Sequence, residues 1–156
     1  MGLAAVTTKI EIGATADEVF RFVTDAARLT QAFPRFLHAA VRRRGARQLG
    51  PGATLELGLR AFGFSFRAEL AVTTWRPSRQ IAYVWRNGAF RPWEHDLYFE
   101  PLSATRCRVT HCVLYRPPWG VAGLVFDRLW FRAALRRALF HLGPSWEAAV
   151  RDPPFG

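Results

Sequence analysis

Apolar and polar residues alternate along most of this chain, and a helical spacing replaces the alternation near each end. Residues 3–12 (LAAVTTKIEI) alternate loosely and predict a first strand. Thr15 followed by Glu18 forms a capping-box signature ahead of Val19, Phe20, Phe22 and Val23, which predicts a short helix over 16–24. Asp25 is placed to cap a second short helix through about Gln31, and Phe33-Pro34 ends it. The two-residue period then predicts strands at 36–44, 53–60, 64–75, 80–86, 92–100 and 106–116. Turn signals separate them at Gly50-Pro51-Gly52, Arg76-Pro77-Ser78, Asn87-Gly88 and 101–105. Pro117-Pro118 ends the strands, and 120–142 predicts one long helix interrupted by Gly143-Pro144. Ser145 to Arg151 resumes as a short helical turn, and the tail from Asp152 is expected to fray.

Connections of hairpin length imply an antiparallel meander. A single long helix must then cover one face of it. The expected fold is α+β: a curved antiparallel sheet of about six or seven strands around a long C-terminal helix, with two short helices after the first strand. A sheet of this length curls, and closure by one helix leaves a cavity between the two. The 156 residues suit a single domain, 1–156, with one core, and half of them are hydrophobic.

Two strand faces carry the chemistry. Trp93, His95, Leu97 and Phe99 share one face of 92–100, and Glu94, Asp96 and Glu100 share the other. The acids belong in water, so the first face points to the core. On 106–116 the inward face presents Val109, His111, Val113 and Tyr115. If the two strands pair about 101–105, His95 and His111 approach one another. A mostly apolar chamber with few polar groups suits a ligand pocket. A single buried histidine is more often a satisfied structural residue, whereas two beside a tyrosine form a candidate site. Phe64 and Phe66 lie on the apolar face of 64–75 and are assigned to the chamber wall. They and Phe62, Trp75, Tyr83 and Trp85 also have the size to fill a core. Tyr83 and Trp85 share a face with Ile81, and the sequence leaves open whether that face is the inner one.

The long helix has two apolar sides. Phe126, Trp130, Ala133, Ala134 and Arg137 gather on one, and Phe126 and Trp130 are assigned to the chamber. Val121, Leu124, Val125, Leu135, Leu139 and Leu142 gather roughly opposite, beside an arginine stripe at 128, 132 and 136. One side should face the sheet. The other would meet the short N-terminal helices, a second subunit in a homodimer, or an anionic membrane as a weak peripheral contact.

Charge changes this picture little. The formal net charge is +10, but Lys9 is the only lysine and the arginines are scattered apart from Arg42-Arg43-Arg44. Solvated surface is the expectation, with no specific nucleic acid as partner, since no recognition motif or stacking platform accompanies the run. Cys107 and Cys112 fall on opposite faces of a strand and are not expected to pair. No CxxC or HxxxH appears, so neither a metal nor another cofactor is expected. The absence of a secretory pattern at the start and of a long apolar run makes the cytoplasm the expected compartment.

Three stretches resemble the START / Bet v 1-like helix-grip superfamily, also termed SRPBCC, and its bacterial ligand-binding and polyketide-cyclase-like members. Asp25-Ala-Ala-Arg28-Leu29 with Phe33-Pro34 resembles the family's helix pair. Thr74-Trp75-Arg-Pro77-Ser-Arg79, with Gly88-Ala-Phe90-Arg-Pro-Trp93-Glu-His95, resembles its central hairpin. Phe99-Glu100-Pro101, Thr105 and Val113-Leu-Tyr115-Arg-Pro117 resemble the last strand and its exit. One departure stands at His111, where the family pattern often carries Asp. The resemblance implies a hydrophobic small molecule, such as a lipid, a quinone or an aromatic polyketide, held between sheet and helix. Its lining would be Phe64, Phe66, Trp93, His95, Leu97, His111, Val113, Tyr115, Phe126 and Trp130. The alternative is a cyclase or dehydratase with His95 or His111 as general base and Tyr115 as oxyanion donor.

Overall fold

The computed structural model describes residues 2–35, 38–44, 47–61, 63–88 and 90–152. Phe62 and residues 153–156 of the tail, both part of the sequence reading, lie outside the described residues. Among the described residues, seven strands form one antiparallel sheet: β1 (Ala4–Ile12), β2 (Ala40–Arg44), β3 (Thr54–Ala61), β4 (Phe64–Arg76), β5 (Gln80–Trp85), β6 (Trp93–Ser103) and β7 (Arg106–Tyr115). The spatial order is β1-β7-β6-β5-β4-β3-β2. Only the return of β1 to the far edge breaks the meander. The curved, open sheet wraps a C-terminal helical stretch over 120–151, which is the helix-grip architecture.

Local chemistry explains most boundaries. In β1, Ala4, Val6, Thr8, Ile10 and Ile12 are buried and the residues between them exposed, the two-residue period of a half-buried strand. α1 (Ala16–Thr24) starts on a complete capping box between Thr15 and Glu18. Asp25 does not open a second α-helix. It closes α1, bridges Gln48, and uses its carboxylate to accept from the Ala27 N–H. Only a 3-10 turn, Leu29–Ala32, follows. Asn87-Gly88 is not a two-residue hairpin, because β5 and β6 are joined by the whole of 86–92 and Asn87 is drawn to the Glu69 N–H on β4. The tight turn lies one hairpin later, where Ser103 pairs with Arg106.

The long helix departs most from expectation. α2 (Gly120–Phe126) runs into a π-helical turn (Asp127–Phe131), then α3 (Arg132–Phe140) and α4 (Leu142–Arg151). The break falls at His141, not at Gly143-Pro144. Pro144 sits in the first turn of α4, where a missing N–H removes no intrahelical bond. Gly123 is obligatory in α2: a Cβ there would overlap the Pro118 carbonyl at 1.5 Å. The grouping of Val121 and Val125 with Leu135, Leu139 and Leu142 does not hold. The first two are exposed and the last three buried, because the π turn offsets the halves of the helix. α4 packs on α1 and the 3-10 turn, while Val121, Val125 and Leu129 remain in solvent. No described helix is long and apolar enough to cross a membrane.

Candidate functional site

The inward faces of β6 and β7 are those the alternation predicts. His95, Leu97 and Phe99 are buried on β6, and Val109, His111, Val113 and Tyr115 on β7, with Trp93 half-buried. The strands are in register through Leu97 opposite His111 and His95 opposite Val113, so the two histidines are diagonal neighbours. Their rings meet: His95 Nε2 lies 3.1 Å from His111 Nδ1. Tyr83 of β5, opposite His95, sets its hydroxyl 2.8 Å from His95 Nδ1, which places the Ile81–Tyr83–Trp85 face inward. Both nitrogens of His95 are therefore engaged. His111 Nε2 has no partner among the described residues and is fully buried, with the Trp146 ring 5.2 Å away between centroids. Burial pushes both imidazoles well below the ordinary histidine pKa, and the neighbouring His95 adds to the effect at His111. Both rings are neutral at pH 7.

A second polar group sits where β7 meets the π turn. The Tyr115 hydroxyl donates to Asp127 Oδ1, and Arg132 Nε and Nη2 donate to Oδ2 at 3.1 and 2.6 Å. Tyr115 and Asp127 are buried, and Arg132 reaches solvent. Burial, then the bond to Asp127, raises the Tyr115 pKa, so the phenol stays protonated. Its hydrogen is committed to the carboxylate. The sequence reading misses Asp127, although it is the only acid in residues 120–142. It also misses Arg132 as its partner and the inward hydroxyls of Tyr83 and Thr8.

Aromatic rings pack around the second polar group. Trp93 lies 5.4 Å from Tyr115, Tyr115 5.4 Å from Phe131, and Phe131 stacks on Phe90 at 4.8 Å. Phe126 and Trp130 pack on each other at 5.3 Å, both partly in solvent. Phe64 and Phe66 share the face of Ala68, Leu70 and Val72, yet they are 74% and 40% exposed where those three are buried. The polar network is thus gathered at β5–β7. The four aromatics assigned from β4 and the helix are left partly open. Of the Arg42-Arg43-Arg44 run, the side chains of Arg43 and Arg44 lie outside the described residues.

Comparison with known proteins agrees with this architecture. Residues 4–144 match the family described as polyketide cyclase / dehydrase and lipid transport, and the chain belongs to that family. No curated protein sequence matches it. Among solved structures, the protein TTHA0849 from Thermus thermophilus is similar at 18% identity over 95% of this chain and 97% of that one, with a TM-score of 0.74. Norcoclaurine synthase from Thalictrum flavum, in complex with dopamine and hydroxybenzaldehyde, is 10% identical over 99% and 90%, with a TM-score of 0.70. A START superfamily protein from Mycobacterium smegmatis is 19% identical over 96% and 98%, with a TM-score of 0.66. At these identities the structures share the fold.

Proposed function

We propose that this protein binds a hydrophobic small molecule between the sheet and the C-terminal helix. The observation that carries the reading is the unfinished closure of the concave face. Ala68, Leu70 and Val72 of β4 are buried, while Phe64 and Phe66 on the same face stay exposed, as do Phe126 and Trp130 on the helix. Large apolar side chains left open in this way mark a place for an apolar partner. Burial of a ligand there is worth about 25 cal/mol per Å² before the costs of association. The family description, which includes lipid transport, supports the same reading. Native mass spectrometry of freshly purified protein, with organic extraction, is the test. A near-stoichiometric lipid, quinone or aromatic species is the expected result. Protein that emerges empty and fails to take up any hydrophobic probe would remove the proposal.

A second reading, a cyclase or dehydratase, is favoured by the neutral imidazole pair. Its residue assignment narrows on geometric grounds. His95 has no free nitrogen, and the Tyr115 hydrogen is held by Asp127, so His111 Nε2 is the one ring nitrogen left over. With Tyr83 donating to His95 and His95 to His111 it carries a hydrogen, and its role would be oxyanion donor and not general base. On this reading turnover of aromatic or polyketide substrates disappears in His111→Ala with the fold intact by circular dichroism. Turnover that survives the substitution would reject the role.

A further inference from the structure

The proton positions in the Tyr83–His95–His111 chain follow from counting. The Tyr83 hydroxyl is buried, has one hydrogen, and has one hydrogen-bond contact among the described residues, His95 Nδ1. If that hydrogen pointed elsewhere it would be stranded in the core, at a cost of about 1–3 kcal/mol. Tyr83 therefore donates, and His95 Nδ1 carries no hydrogen. A neutral His95 then holds its hydrogen on Nε2 and donates it to His111 Nδ1. A neutral His111 in turn holds its own hydrogen on Nε2. The opposite polarity leaves two unsatisfied groups, the Tyr83 hydrogen and the His111 Nε2 lone pair. The first polarity leaves one, an N–H that is completely buried and without a partner among the described residues.

A second unsatisfied group stands beside it. Thr8 of β1 is the residue opposite His111 in the β1–β7 register. Thr8 is buried on the same inner face, and its Oγ1 has no partner among the described residues either. Two adjacent neutral groups able to donate match the two lone pairs of one carbonyl oxygen. A carboxylate would instead bury a net charge between neutral donors, which costs far more.

Resting on the ligand-binding reading above, we propose that His111 Nε2–H, with Thr8 Oγ1, is the polar anchor for a neutral carbonyl oxygen of the ligand, as in a ketone, quinone or ester. Tyr83 and His95 are positioning residues, which fix the direction of the His111 hydrogen from two bonds away.

Matched probes test this without knowledge of the natural ligand. Fluorenone and fluorene share a tricyclic skeleton and differ by a carbonyl in place of a methylene. Their affinities are measured by competition against a hydrophobic fluorophore, and the carbonyl stretch of bound fluorenone by infrared difference spectroscopy. The wild type is expected to prefer fluorenone by about tenfold, with the stretch moved to lower wavenumber. His111→Phe is expected to bring the ratio close to one while fluorene still binds. Nitrogen-15 spectra of the unmodified protein should show the His111 hydrogen on Nε2. Equal affinities with an unshifted stretch overturn the anchor and leave the ligand-binding reading standing, as does a hydrogen found on Nδ1. Failure of the fluorophore and of both probes to bind overturns the anchor and the binding reading together.

Discussion

Acid should unfold this protein earlier than a comparable domain without a buried histidine pair. Above about pH 6.5 the imidazoles of His95 and His111 are neutral in the folded and unfolded chain alike, and the pair adds no pH dependence. Below it the unfolded chain takes up two protons that the folded chain, with both pKa values pushed down by burial, does not. The unfolded state then binds more protons, so the free energy of unfolding falls as pH falls. The stability is fully present above the unfolded pKa and is lost from there down toward the folded values. Each histidine contributes up to about 1.4 kcal/mol per pH unit, and the pair about 4 kcal/mol between pH 7 and pH 5. Urea denaturation at the two pH values measures the slope. In His95→Gln, His111→Gln, which cannot take up these protons, most of the slope should vanish, and His95→Gln alone should remove about half. An unchanged slope in the variants would show that the pair is not what the acid limb reads.

The second large effect is an asymmetry within one ion pair. Arg132→Ala leaves the Asp127 carboxylate in the core with only the Tyr115 hydroxyl to stabilise it, the situation that costs about 3–5 kcal/mol. Asp127→Ala frees an arginine that already reaches solvent and orphans the Tyr115 hydroxyl, a loss nearer 1–3 kcal/mol. The expected order is therefore Arg132→Ala worse than Asp127→Ala, with the double variant milder than Arg132→Ala alone. Chemical denaturation of the three variants gives the order. Equal losses for the two single variants would mean that the carboxylate is better solvated than its burial indicates.

What the sequence makes legible follows the range of the interactions. The faces of β6 and β7 are fixed locally: acids at 94, 96 and 100 can point only to water, and a period of two then carries His95 inward. The short turn before Arg106 fixes the register, and the register brings the histidines to a diagonal. The side of β5 that holds Tyr83 is not decided locally, because Ala82 and Val84 are as apolar as their neighbours. It is settled by Tyr83 finding His95 across the ladder. Asp127 reads as an ordinary helix-surface acid until Tyr115 and Arg132 converge on it. The missing partners of Thr8 Oγ1 and His111 Nε2 are a property of the packed interior, and no residue pattern encodes them.

The π turn between α2 and α3 resolves a conflict of phase. Gly123, Asp127, Leu135 and Leu139 face inward at multiples of four residues. A regular helix advances about 100° per residue, so every four-residue step overshoots a full turn by about 40°. Over the sixteen residues from Gly123 to Leu139 the overshoot would reach about 160°, nearly the opposite side. The wider turn acts as a dislocation that absorbs part of this excess. Asp127 and Leu139 can then share one core only because the helix between them is not regular. The five residues of the turn therefore carry information by number as well as by identity. Removing any one of them would restore a regular helix and send either Asp127 or the buried leucines of α3 toward solvent, whatever the side chain removed.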